Sequence, residues 1–203
     1  MKIGIFIFND VEILDFTGPY EVFSSTRKTS KVLSKKNINE IYKKPSPFKV
    51  FTISSKNKNI ITSGGMKVIS DYSFSDAPKF DILLIPGGKG TRKLISDNSV
   101  LKWINDKKNT KLIISVCTGS LLLGAAGLLK NKKATTHWSA FNLLKKLSPS
   151  TKVLKERFIM DEIFSSSGVA SGIDLSLKVV EIFYGKTVMR NTAKYMEYNL
   201  LKK

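Results

Sequence analysis

The chain has 203 residues, 42% of them hydrophobic and 10% aromatic, enough to bury the core of one compact domain over residues 1–203. Its longest apolar stretches, such as Ser120 to Leu129, fall short of the roughly 20 residues that a bilayer-spanning helix needs, so no membrane span is expected. A single cysteine excludes an intramolecular disulfide and makes the cytoplasm the expected location. The net charge of +18 brings a nucleic-acid or membrane-surface partner into consideration. Half of that excess lies in residues 27–58, where ten basic residues face one acid, Glu40. Only four of the 34 basic residues are arginine, whereas dedicated phosphate and base readers favour the arginine fork. The charge therefore reads as a solvated surface, and no nucleic-acid partner is expected.

Lys2 to Phe8 is a short, nearly continuous apolar run, the pattern of a strand buried on both faces of a parallel sheet. It lacks the small-residue cleavage site of a signal peptide. Asp10 to Thr17 reads as a loop, and Gly18-Pro19 as the opening of a helix to about Ser24. A basic, insertion-like segment at about 27–47 follows, with Pro45 and Pro47 marking a break before a strand at Phe48 to Ser54. Gly64-Gly65 reads as a hairpin turn. Asp81 to Ile85 is a second buried strand, closed by Pro86-Gly87-Gly88, and Leu94 to Asp106 has helical spacing. Lys111 to Val116 is the next buried strand, leading into Cys117-Thr118-Gly119-Ser120 and a helix from Leu121 to about Ala126 that ends at Gly127. A short extended piece at Lys133 to Thr135, a helix at Trp138 to Leu147 and short strands between Lys152 and Ser165 come next. Helices at Ile173 to Phe183 and Thr187 to Leu200 close the chain. This alternation predicts an α/β fold with a mostly parallel central sheet sandwiched by helices, with ligands at the carboxyl ends of the strands.

Ile113 to Ser120 has the layout of a nucleophile elbow, in which a strand ends in a tight turn that lifts one side chain, here Cys117, above the sheet. Gly119 permits the close backbone approach such a turn needs. The following helix points its N-terminus at Cys117, which is expected to lower the thiol pKa. A buried structural cysteine is the alternative, but its Thr and Gly flanks at a strand end favour a functional role. At the end of the preceding strand, Gly87 and Gly88 bring small backbone units near the sulfur, and the Gly88 and Thr118 amides together would form a two-donor anion hole. Asp15, between apolar neighbours after the first strand, is expected to be desolvated and partly protonated, suited to donating a proton or hydrogen bond to a thiolate. Its other reading is a cap for the helix beginning at Gly18. His137 is the only histidine, hence the only imidazole base available, and is equally placed to cap the following helix. There are too few His and Cys residues for a conventional zinc site, and there is no phosphate-binding glycine loop of the Walker or dinucleotide type.

Taken together, Leu14-Asp15-Phe16-Thr17-Gly18-Pro19, Ile85-Pro86-Gly87-Gly88, Ser115-Val116-Cys117-Thr118-Gly119-Ser120-Leu121, Gly124 to Leu129, Ala134-Thr135-Thr136-His137-Trp138 and Ala170-Ser171-Gly172-Ile173-Asp174 resemble the DJ-1/PfpI superfamily, whose fold is similar to class I glutamine amidotransferases. Within it the chain is most similar to the isonitrile hydratase group. The resemblance implies Cys117 as nucleophile, Asp15 as its acidic partner, and Thr118 where PfpI-type proteases carry histidine, which argues against a peptidase. It implies a cofactor-free lyase that hydrates a small isonitrile to an N-substituted formamide through a Cys117 thioimidate. A homodimer is expected on the same ground. Two alternatives share the motifs: a DJ-1-like redox or glyoxalase-type protein, and the sensor domain of AraC-type regulators. The latter continue into a helix-turn-helix domain, so a chain ending at Lys203 is expected not to be an intact regulator. The basic connection departs from the resemblance and is expected to lie near the substrate pocket and dimer surface.

Overall fold

The computed structural model describes residues 1–56 and 58–200. Its elements run β1 (Lys2–Phe6), α1 (Ile13–Ser25), α2 (Ile38–Tyr42), β2 (Lys49–Ser54), β3 (Asn59–Ile61), β4 (Lys67–Ile69), β5 (Tyr72–Ser73), β6 (Ile82–Ile85), α3 (Thr91–Leu94) and α4 (Asn98–Asp106). They continue with β7 (Leu112–Val116), α5 (Gly119–Ala125), β8 (Lys133–Ala134), α6 (Phe141–Leu147), β9 (Lys152–Val153), β10 (Phe158–Met160), β11 (Phe164–Ser166), α7 (Ser171–Tyr184) and α8 (Lys186–Tyr195).

β6 and β7 are buried along their whole length, and β1 is buried from Ile3 onward, as strands covered on both faces must be. They form the middle of a seven-stranded sheet of order β10-β11-β7-β6-β1-β2-β5, in which only the β10 edge is antiparallel. The connection from β1 through α1 to β2 steps toward one edge, and that from β6 through α4 to β7 steps toward the other. Crossovers between parallel strands are right-handed, so the two connections put their helices on opposite faces. α1, α7 and α8 accordingly pack together as one layer, and α3, α4, α5 and α6 as the second. The order of strands reverses between the parallel neighbours β1 and β6, and their carboxyl ends open the crevice where such sheets place their sites. On one side of the sheet Phe6 packs against Phe74 and Trp103, whose rings stack at 4.0 Å.

The expected sandwich is present, and three boundaries shift. α1 begins at Ile13, so Asp15 sits in a helix and not in a loop. The cause is local: the Glu12 amide donates to the Gly87 carbonyl at 2.9 Å and Val11 bridges to Gly88, so the chain is fixed on β6 as soon as it leaves β1. Pro19 then lies inside the helix and leaves the Asp15 carbonyl without its usual amide partner. The apolar spacing of Leu94 to Asp106 conceals a break, because Asp97 accepts from the Ser99 and Val100 amides at 2.9 and 3.2 Å and starts α4 afresh. The last helix ends at Tyr195, short of Leu200. Glu197 adopts φ 50°, and the Tyr198 amide reaches back to the Ala193 carbonyl at 2.9 Å, a helix stop usually marked by glycine. The same motif ends α5 at Gly127, φ 79°, where the sequence does show it.

Leu84 is fully buried at the centre of β6. Leu84→Ala should cost about 2–5 kcal/mol in urea unfolding, whereas Val32→Ala on the exposed connection should change stability by under about 0.5 kcal/mol. Similar losses at both positions would contradict this placement of the core.

Candidate active site

Cys117 follows β7 directly and adopts φ 55°, a conformation that non-glycine residues rarely take. Neighbours hold it there. Its amide donates to the Ser166 carbonyl at 2.9 Å, while its own carbonyl accepts from Thr136 Oγ1 at 3.1 Å and Ser120 Oγ at 3.2 Å. Gly119 lies hard against the Ile85 carbonyl, which leaves no room for a Cβ. The turn is thus an elbow as its sequence indicates, and the cysteine on it is only 6% exposed.

Asp15, in the first turn of α1, is fully buried. Its Oδ2 accepts the Gly87 amide at 3.0 Å, and Oδ1 has no partner of full hydrogen-bond geometry. The Cys117 thiol lies beside the carboxyl as a hydrogen-bonding neighbour. Burial is the largest influence and pushes the Asp15 carboxyl up to about 7, against the opposing hydrogen bonds from Cys117 and Gly87. Partial protonation near neutrality, expected from the apolar flanks, is what this environment produces. Gly87 is where the segments meet: a Cβ there would lie 2.5 Å from the Thr118 amide nitrogen and 2.8 Å from Asp15 Oδ2. Any side chain at this point would push the carboxyl and the elbow apart.

The thiol itself departs from expectation. Burial first, and the neighbouring Asp15 charge second, push it up to about 12, although the Thr118 amide acts in the opposite direction. The amide donors at the start of α5 do not outweigh desolvation beside a carboxylate, and the resting sulfur is a thiol.

Gly88 and Thr118 are adjacent, as an anion hole needs, but the Gly88 amide is already engaged: it donates to Thr118 Oγ1 at 3.0 Å. That hydroxyl belongs to a network the sequence did not reveal. Thr91, fully buried, donates to the Gly88 carbonyl at 2.8 Å, and Arg92 reaches Thr91 Oγ1 at 3.0 Å. His137 takes its helix-capping alternative. Its Nδ1 is 2.8 Å from Ser139 Oγ and accepts the Ser139 amide at the start of the 3-10 turn Trp138–Ala140. Its neighbour Thr136 is the residue of that motif that touches the elbow. Gly168, at φ 76°, also meets the elbow: a Cβ there would lie 2.3 Å from Cys117 Cβ and 3.0 Å from its Sγ, so glycine is required to let β11's exit close over the sulfur. The run of small residues Ser165 to Gly168 was its only sequence signal.

Among the described residues no cluster of three or more His, Cys, Asp or Glu side chains is placed to hold a metal ion, and no helix is long and apolar enough to cross a membrane. The arrangement offers an enclosed thiol, a carboxyl able to exchange its proton near neutrality, and backbone amides at two strand ends. The family model for DJ-1/PfpI proteins matches residues 1–182. The chain belongs to the DJ-1/PfpI family. It is 32% identical over 200 residues to the isonitrile hydratase of Pseudomonas putida, covering 98% of this chain and 78% of that protein. It is 30% identical over 136 residues to the HTH-type transcriptional regulator CdhR of Pseudomonas aeruginosa, covering 66% of this chain but 40% of the regulator. A solved ThiJ/PfpI family protein from Pseudomonas syringae superposes with a TM-score of 0.84 at 26% identity, covering 99% of this chain and 76% of that one.

Raising a buried carboxyl from 3.8 to about 7 costs the folded state stability once the unfolded chain ionises. The cost is absent below the unfolded value, grows as pH rises, and is complete above about 7, reaching at most roughly 4 kcal/mol. Asp15→Asn should therefore melt progressively higher relative to the unsubstituted protein as pH rises through this window. A difference in melting temperature that stays flat across it would show that Asp15 is not strained by burial.

Proposed function

We propose that the protein is a cysteine-dependent hydratase of a small carbon–nitrogen substrate, and specifically that it hydrates an isonitrile to an N-substituted formamide. The observation that carries this reading is the enclosed Asp15 and Cys117 pair, which near neutrality holds either one proton or two. In the singly protonated pair the carboxylate accepts the thiol proton as sulfur attacks the terminal isonitrile carbon, so no free thiolate has to exist beforehand. Asp15 then delivers that proton to the same carbon, which gives the thioimidate R–N=CH–S bound to Cys117. Water adds to the carbon with Asp15 as base, the proton passes to nitrogen, and loss of the sulfur as thiol leaves R–NH–CHO. The sum is one water added to one isonitrile.

In this proposal the Thr118 amide, and the Gly88 amide once it leaves Thr118 Oγ1, stabilise charge on the adduct. His137 takes no part. The family membership and the Pseudomonas putida relative support the reaction class, and the homodimer and cytoplasmic location expected above belong to the same proposal.

A DJ-1-like redox role calls for a readily formed thiolate, and the raised Cys117 pKa weighs against it. The match to CdhR favours one second reading, in which the same pocket binds a ligand without turning it over.

Purified protein should convert members of a panel of alkyl and aryl isonitriles to formamides, followed by chromatography. Cys117→Ala should abolish turnover, and Asp15→Asn should lower kcat/KM by about 100-fold or more. Because the singly protonated pair is the reactive form, kcat/KM should rise with pH about a midpoint near 7. Formamide formation that survives Cys117→Ala would defeat the mechanism, and binding without turnover across the panel would favour the sensing role.

A further inference from the structure

The basic connection between α1 and β2 does not lie beside Cys117. α7 starts next to Gly168 at the elbow and runs away for fourteen residues, about 21 Å. The connection packs at its far end. It is also not a loose solvated run. Buried Asn191 on α8 accepts the Leu33 amide and donates to the Lys31 carbonyl, both at 2.8 Å, and Lys194 donates to the Leu33 carbonyl at 2.8 Å. Ile41 is buried, Tyr42 stacks on Tyr195 at 4.0 Å, and the Arg27 guanidinium sits over the Tyr42 ring.

Between this docked wall and the α7–α8 junction lies a cleft of about 690 Å³, a size suited to one small molecule. Four lysines line it, Lys28, Lys31, Lys44 and Lys186, against the single carboxylate of Glu40. Glu40 is taken by Lys31 at 2.9 Å, and among the described residues no carboxylate pairs with Lys28, Lys44 or Lys186. Tyr184, Ile41 and Val188 give the cleft apolar lining, and Thr187 lines it too. Lys44 also feels the Glu40 charge, yet four cations still face one carboxylate, and such an excess around a preformed concavity favours an anion that bridges them, because the repulsion is present before the ligand arrives.

We propose that this cleft binds a small polyanion carrying at least two phosphate groups, held by Lys28, Lys44 and Lys186, with any apolar part of the ligand against Tyr184. The concave shape sets it apart from a surface stripe suited to a nucleic-acid backbone.

Calorimetric titration of the full chain with sodium pyrophosphate, and separately with ATP, tests this at about 0.15 M salt, where diffuse surface attraction is screened. The two arms distinguish a site for phosphate groups alone from one that also uses the apolar lining. Saturable one-site binding by either probe is expected, weakened about tenfold or more in the Lys44→Gln, Lys186→Gln double variant. The Lys145→Gln, Lys146→Gln double variant, on α6, removes the same charge elsewhere and should bind as the unsubstituted protein does. Lys44, Lys186, Lys145 and Lys146 are all exposed, and thermal melts without ligand should show both variants folded. No saturable heat, equal weakening in both variants, or binding of a DNA duplex without binding of either probe would overturn the proposal.

Discussion

A carboxyl and a thiol share one desolvated space at the crevice of this sheet, and the cost of ionising either of them organises what surrounds them. Removing Asp15 from water raises its pKa to about 7, and burial of the Cys117 thiol, with the Asp15 charge second, pushes that group up to about 12. The pair therefore keeps a proton across the neutral range. A nucleophile under these conditions is activated by transferring its proton to its neighbour during attack, a different route from the preformed thiolate that a helix N-terminus alone would favour.

The fold supplies this proximity through topology. β1, β6 and β7 lie side by side, and the residues that follow each of them meet above the crevice. Asp15 comes from the first, Gly87 and Gly88 from the second, and Cys117 with Thr118 from the third. Glycine at position 87 lets the three segments close to hydrogen-bond distance, and the Glu12 and Val11 contacts to the Gly87-Gly88 turn bring α1 down on them. Contacts from Ser166, Thr136 and Ser120, with Gly119 against the Ile85 carbonyl, hold the elbow at its positive φ.

The continuous apolar runs made the three central strands legible in sequence, and Cys117-Thr118-Gly119 at the end of one of them made the elbow legible. The start of α1 was not, because contacts to β6 fix it and no capping residue marks it. The stop at Glu197 was hidden for a related reason: a glycine-type turn is formed there by glutamate, with Tyr198 anchored on Asp174 at 2.8 Å. The nearness of Asp15 to Cys117 came from resemblance of motifs and not from any local pattern, since 102 positions of chain separate them. The direction of the thiol shift could not be read either. A sequence displays the helix that follows a cysteine, but not the solvent excluded around it, and Gly168, which closes over the sulfur, lies on a strand exit far along the chain. Thr91 had no sequence signal at all. The lysines between α1 and β2 were visible as charge, while their docking on α8 through Asn191 appears only once the helices are packed.

The protonation of the pair can be observed directly by infrared difference spectroscopy of the unsubstituted protein against Asp15→Asn over a pH titration. A protonated-carboxyl band belonging to Asp15 should disappear with a midpoint near 7 while the Cys117 S–H band persists through the same range. An Asp15 already ionised in the ordinary carboxylate range, or an S–H band lost in step with the carboxyl band, would contradict the shared-proton account.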